Sequence, residues 1–188
     1  LNSSNKCNLR CVYCSEEKHR EKTTQMPLET AKKVLERALE ENKESQIVFH
    51  GSEPTCNFDW IQEVVNYGEK LTVNSSNRLR FSIQSNLAYL PKGFLEFIRD
   101  HNVGVSTSID GPEKIHNLTR PYLGGGSSFR QILENSRRIL NVQGSLNVTS
   151  VVTKYNVEKL EETEEFLETE GFTSWQIIPV QKNSSISP

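Results

Sequence analysis

The sequence predicts an α/β protein, a partial (β/α)6 TIM-like barrel with parallel strands. Short β-rich apolar runs alternate strictly with amphipathic helical stretches, which is the pattern of a parallel sheet with helices outside. At 188 residues the chain is too short for a complete eightfold barrel, which usually needs ~250. Six strand-helix units fit if Leu1 belongs to the clipped end of a first strand. The residues able to carry chemistry also fall at the carboxyl ends of strands, where barrels of this kind build their sites.

The elements follow in order. A helix reads from Leu28 to Glu44, with Ala31, Val34, Leu35, Ala38 and Leu39 on one face and Pro27 just before it. Ile47-Val48-Phe49 is a short buried strand that runs into His50-Gly51-Ser52-Glu53-Pro54-Thr55, a bend in which Glu53 and Thr55 are placed to start the next helix. Helices are expected at Phe58 to Leu71, Gly93 to His101, Phe129 to Leu140 and Val157 to Glu170. Strands are expected at Leu79 to Ile83, Val103 to Ser108, Leu146 to Val152 and Trp175 to Val180. The third of the six ends in the polar trio Gln84-Ser85-Asn86, and the fourth in Ser108-Ile109-Asp110-Gly111-Pro112, a strong turn signal. Gly124-Gly125-Gly126-Ser127-Ser128 lacks the lysine of a phosphate loop and reads as a flexible turn capping the helix after it. The acidic run Glu158 to Glu170, interrupted by Leu160, Phe166 and Leu167, is the solvated face of a helix.

Cys7, Cys11 and Cys14 place three thiols on one short loop, and the only other cysteine, Cys56, lies far down the chain. Thiolate sulfur is a soft donor that favours zinc, copper(I) or iron-sulfur centres. Structural zinc is closed by four protein ligands, and no second Cys-x-x-Cys or spaced His pair follows. A cubane with one iron left open fits three local cysteines better. Cys56 reads as a small packed residue, and His19 and His50 as loop or strand-end histidines without a role.

The spacing C-x-x-x-C-x-x-C with Tyr13 before the last cysteine resembles the signature of radical S-adenosylmethionine (radical SAM) enzymes. The resemblance implies a 4Fe-4S cluster held by Cys7, Cys11 and Cys14 and chelated at its open iron by S-adenosylmethionine. It further implies reductive cleavage of that cofactor to a 5'-deoxyadenosyl radical, which takes a hydrogen atom from substrate. The segment Gly51-Ser52-Glu53-Pro54 is similar to the family's Gly-Gly-Glu-Pro, which gathers the methionine amino group; Ser52 replaces the second glycine. Ser-Ile-Asp-Gly-Pro at 108–112, with His116 and Arg120-Pro121 after it, looks like the narrower group of anaerobic sulfatase-maturating enzymes and SPASM-type peptide maturases. That likeness implies Ser108 and Arg120 on the methionine carboxylate, Tyr13 on adenine, and Gln84, Asn86 and Asp110 around the ribose or bracing the site. A guanidinium suits a carboxylate because its planar fork gives two charge-assisted hydrogen bonds. Ile178 and Val180 are placed for apolar contact with adenine, with Gln181 beside them. The family's core is itself a partial barrel of this size.

The same resemblance implies a peptide or protein substrate, an electron donor such as flavodoxin or ferredoxin, and residues 1–188 as a core domain lacking the cysteine-rich SPASM extension. The general base of the sulfatase-maturating enzymes would lie beyond residue 188, so no catalytic acid or base can be assigned. The outcome on substrate, oxidation of Ser or Cys or a thioether or carbon-carbon crosslink, is left open. So are two alternatives: another radical SAM activity such as a glycyl-radical activase or small-molecule enzyme, and a non-enzymatic metal or cluster-binding module. A formal net charge of −2 gives no electrostatic case for nucleic acid. No run approaches the ~20 apolar residues of a membrane span. Cysteine usage points to a reducing, anaerobic cytoplasm, because an exposed cluster is easily oxidised, so the Asn-x-Ser/Thr matches are read as chance.

Overall fold

The computed structural model describes residues 1–15, 23–172 and 174–180; His19 and Gln181 lie outside them. Five strands form one parallel sheet in sequential order: β1 (Glu44–Phe49), β2 (Arg78–Gln84), β3 (Gly104–Ser108), β4 (Asn147–Val152) and β5 (Ser174–Pro179). The sheet curls into a half-barrel whose convex side carries α1 (Leu28–Glu41), α2 (Phe58–Thr72), α3 (Phe94–Asp100), α4 (Glu113–Thr119), α5 (Phe129–Gln143) and α6 (Leu160–Thr169). Of the expected first strand, Leu1 alone is represented. Its amino group donates to Val48 O at 2.6 Å and its carbonyl accepts from His50 N at 3.0 Å, the pattern of a parallel bridge to Phe49.

Strand parity sorts the side chains into two unlike faces. Ile47, Phe49, Phe81, Ile83, Val105, Val148 and Val152 point to the helices and are buried. Phe49 stacks on Phe81 with ring centroids 6.1 Å apart and meets Trp60 of α2 edge-on at 6.2 Å, which ties β1 and β2 to that helix. The strand register puts Gln46, Arg80, Ser82, Gln84, Ser106, Ser108, Asn147, Thr149, Ser174 and Gln176 together on the concave face, along with the apolar Val48, Val151 and Ile178.

Some boundaries differ from expectation. The first helix stops at Glu41, because Asn42 turns to extended backbone and Glu44 already pairs with Arg78 in the sheet. The last helix begins as a 3-10 turn over Val157–Lys159 before α6 proper. The triple-glycine segment is a turn, with Gly125 and Gly126 in the left-handed region. It does not cap α5 through Ser128, whose hydroxyl instead donates to the carbonyl of Arg120. Helix α4 was not foreseen at all. Among the described residues no helix is long and apolar enough to cross a membrane.

Candidate active site

The cysteine loop has almost no regular structure and is held by backbone bonds to two other segments. Glu53 N donates to Lys6 O, which fastens the start of the loop to the end of β1. On the other side Arg10 N donates to Pro121 O, Val12 N to Thr119 O and Leu123 N to Asn8 O, and Leu9 bridges Tyr122 antiparallel. Leu9 itself is fully buried and anchors the loop in the core. The result is a strap laid across the carboxyl ends of the strands.

Under that strap lies a cavity of about 260 Å³ lined by Cys7, Cys11, Tyr13, Cys14, Ser15, Gly51, Ser52, Gln84, Ser85, Asn86, Ser108 and Arg120. Residues far apart in sequence therefore meet as expected: the three cysteines, the ends of β1, β2 and β3, and Arg120. Gly51 sits at φ +113°, and a Cβ there would come within 2.4 Å of the Asn2 side chain, so the bend needs glycine. Ser52 has no such demand; among the described non-glycine residues only Leu87 and Asn102 have positive φ. The Ser52 hydroxyl is buried without a hydrogen-bond partner beside the cavity. A polar ligand there would relieve the cost of that orphaned group.

Glu53 lines no part of the cavity. Its buried carboxylate accepts from Thr55 N and Oγ1, Ser85 Oγ and Asn86 N, at 2.7–3.0 Å. Desolvation raises its pKa while these donors oppose the rise. Glu53 thus caps the 3-10 turn Pro54–Asn57 and staples the end of β1 to that of β2. Asn86 in turn donates from Nδ2 to Asn8 Oδ1 at 2.8 Å and approaches Cys7 Sγ at 3.8 Å, within the range of a weak N–H···S bond. Gln84 Nε2 donates to Ser108 Oγ at 3.2 Å, so these two neighbours hold each other in place.

The centre of the charge network is Asp110, which is fully buried. Its carboxylate accepts from Arg120 Nε and Nη2 at 3.0 and 3.1 Å, Tyr13 OH at 2.7 Å, Thr119 Oγ1 at 2.6 Å and Val151 N at 2.9 Å. Burial would raise the Asp110 pKa, but the guanidinium and the donors together hold it below the usual carboxylate value, and the same pairing raises Arg120. Tyr13 lies beneath that guanidinium, 5.3 Å from ring centroid to Cζ, and its phenol is pushed well above its usual pKa by burial. Asp110 therefore braces the site rather than facing a ribose.

Sequence reasoning missed Thr119 and Asn156 and gave no site role to His116 or Ser128, which together complete this network. Asn156 Nδ2 donates to the Asp110 carbonyl at 3.1 Å, and His116 Nε2 lies 3.3 Å from Ser128 Oγ. The spacing from Asp110 to Thr119 and Arg120 was the available signal. Ile178 and Val180 do not line the cavity. Cys56 lines a larger, neighbouring cavity of about 1060 Å³ that shares Cys7 with the first, and burial pushes its thiol up to about 11.

None of Cys7, Cys11, Cys14 and Cys56 forms a disulfide among the described residues. Among the described residues no three His, Cys, Asp or Glu side chains converge tightly enough to hold a single ion. Three thiols spread around one cavity, with the Ser52 hydroxyl orphaned beside them, fit a larger cluster plus a polar ligand. Burial pushes the Cys11 thiol up to about 11, against the opposing pull of the Arg120 guanidinium.

A half-barrel with a three-cysteine strap over the carboxyl ends of its strands defines a class of cluster-bearing α/β folds. The Radical SAM superfamily model matches residues 1–167, and the chain belongs to that superfamily. An uncharacterized protein of Methanocaldococcus jannaschii is 32% identical over 175 residues, covering 93% of this chain and 59% of that protein. A cysteine-type anaerobic sulfatase-maturating enzyme of Clostridium novyi is 27% identical over 184 residues, covering 94% of this chain and 49% of the enzyme. The solved structure of native anSMEcpe with bound AdoMet and Kp18Cys peptide has the same fold, with a TM-score of 0.87 at 23% identity, over 99% of this chain and 53% of the other. The chain spans about half the length of the curated relatives it matches. Membership implies S-adenosylmethionine and a 4Fe-4S cluster.

Proposed function

We propose that residues 1–188 are a radical SAM core in which Cys7, Cys11 and Cys14 hold one 4Fe-4S cluster, and that the whole protein modifies a peptide or protein substrate. The observation that carries the reading is the single cavity where the three thiols meet Gly51, Ser52, Gln84, Asn86, Ser108 and Arg120. When bound, the cluster and S-adenosylmethionine supply one-electron bond cleavage and abstraction of a hydrogen atom from substrate. The tasks left to this chain are placement and shielding.

The strap formed by residues 7–14 presents the thiols and excludes water from one side. Ser52 Oγ and the backbone at Gly51 offer polar contacts for the methionine amino end. Ser108, oriented by Gln84, and the free edge of the Arg120 guanidinium offer donors to its carboxylate. Tyr13 is held by Asp110 and gives an aromatic ring beside that group for adenine. Pro54 fixes the turn that sets Glu53, and Glu53 and Asn86 lock the strand ends around the cofactor. The likeness to sulfatase-maturating enzymes supports a peptide or protein substrate, and an electron donor such as flavodoxin or ferredoxin would serve as reductant.

The test is reductive cleavage of S-adenosylmethionine by the anaerobically reconstituted protein, with dithionite as donor and 5'-deoxyadenosine as product. Wild type should form it, and Cys14→Ala should lose both product and most of the iron and sulfide while remaining folded by circular dichroism. A full cluster complement in Cys14→Ala would overturn the ligand assignment.

A further inference from the structure

A closed eightfold barrel fills its interior with layers of branched apolar side chains. The concave face of this half-barrel is instead mostly polar, with Val48, Val151 and Ile178 as apolar side chains among amides and hydroxyls. Beneath Gln84 and Ser108, which line the cofactor cavity, the register brings Gln46 and Ser82 together with Ser106, Asn147 and Gln176. All five carry neutral amides or hydroxyls, and Gln46, Asn147 and Gln176 are exposed. The face is partly pre-organised: Gln46 Nε2 donates to Ser82 Oγ at 3.3 Å, and Ser174 Oγ donates to Asn147 Oδ1 at 2.9 Å. Each amide keeps further donor and acceptor capacity. The charges sit at the amino-terminal rim, where Arg80, in register with Gln46, pairs with Glu44.

We infer that this face is a track that binds an extended polypeptide through its main chain and selects for uncharged residues on either side of the one that reacts. The inference rests on the peptide-modifying reading above. Side-chain amides carry the same donor and acceptor pair as a peptide group, so an extended chain can exchange its water for them without leaving polar groups unpaired. A charged side chain brought against the track would lose hydration and meet no counter-charge between the cavity and the Arg80–Glu44 rim. The track is continuous with the cofactor cavity through Gln84 and Ser108, so a chain lying on it passes the point where hydrogen is abstracted.

The test uses the full-length, cluster-reconstituted protein with S-adenosylmethionine and synthetic twelve-residue peptides carrying one central Cys or Ser. One set has Gly, Ala, Ser and Asn flanks; a second has Glu or Lys at the two positions on each side; a third is the first with N-methylated main-chain amides. Anisotropy should show the neutral set binding at least tenfold more tightly than either other set. The double variant Gln46→Leu, Gln176→Leu should lose at least fivefold in peptide affinity with its affinity for S-adenosylmethionine unchanged. Equal binding of the charged or N-methylated peptides, or no effect of the double variant, overturns the track. Cofactor binding without any peptide binding sinks this inference alone, whereas failure to bind S-adenosylmethionine sinks the reading beneath it.

Discussion

Arg120 commits Nε and Nη2 to Asp110, so it meets a bound carboxylate with the remaining edge of its fork rather than with both arms. A fixed fork loses less freedom when a ligand arrives, which favours binding even though one of the two contacts is given up. Asp110 is consequently a positioning residue: it ties Tyr13 from the cysteine strap, Arg120 and β4 to a single carboxylate. Asp110→Asn would leave a guanidinium buried without its counter-charge, and breaking such a pair costs on the order of 3 to 5 kcal/mol. Denaturant unfolding should show that loss as a lower midpoint with an unchanged slope. In a double-mutant cycle with Arg120→Gln the two changes should fall well short of additive, because the second removes the stranded charge. Full additivity would mean that the pair is not energetically linked.

At the level of elements, the carboxyl end of β3 shows what was legible in the chain and what was not. Asp110 stood out because Asp-Gly-Pro after an apolar run marks a strand end, whereas Ser108 and Arg120 were visible only through the likeness to sulfatase-maturating enzymes. Helix α4 did not, although Pro112 at its amino end was a usable start signal. Seven residues that include His116, Asn117 and Thr119 have weak helix propensity, so packing and not local preference makes this helix. The cysteine loop was likewise readable as a ligand set but not as a strap, since its partners at 119–123 lie a hundred residues away. Gly111 joins these parts at φ +141°, where a Cβ would lie 2.8 Å from Thr163 Oγ1 of α6 and 3.2 Å from Ile115 Cγ2. Gly111→Ala should therefore destabilise by roughly 1 to 3 kcal/mol, from a strained backbone and a crowded neighbour together. An unfolding midpoint equal to wild type would contradict that reading. Gly124→Ala is the control, because a Cβ there meets nothing within 4 Å and its φ is not in the left-handed range.

For the whole molecule, the sequence conveyed the alternation of strands and helices but concealed which way the sheet is wetted. In Arg80-Phe81-Ser82-Ile83-Gln84 every second residue is polar, a period that marks a sheet with one open face. A parallel sheet is ordinarily covered on both sides, and that expectation hid the signal. Covering only the convex side concentrates buried ionisable groups where α4 and α5 close over the strand ends. His116 is the clearest case: it is fully buried, and desolvation lowers its pKa from 6.5 to about 3, against the pull of Asp110 and with the push of Arg120. Its folded pKa lies below the unfolded one, so the unfolded chain binds more protons throughout that interval. The stability due to neutral His116 is thus complete above pH 6.5 and declines as pH falls towards 3. The lowered pKa of Asp110 acts in the same direction but only below its ordinary value of 3.8. From pH 7 to 4 the loss assignable to His116 is on the order of 3 kcal/mol, at 1.36 kcal/mol per pKa unit. His116→Gln keeps a hydrogen-bonding group near Ser128 and removes the titration. Thermal unfolding of the two cluster-free proteins from pH 7 to 4 should show a steep fall in Tm for wild type and a shallower one for the variant. Parallel curves would assign the acid sensitivity to the carboxylates instead.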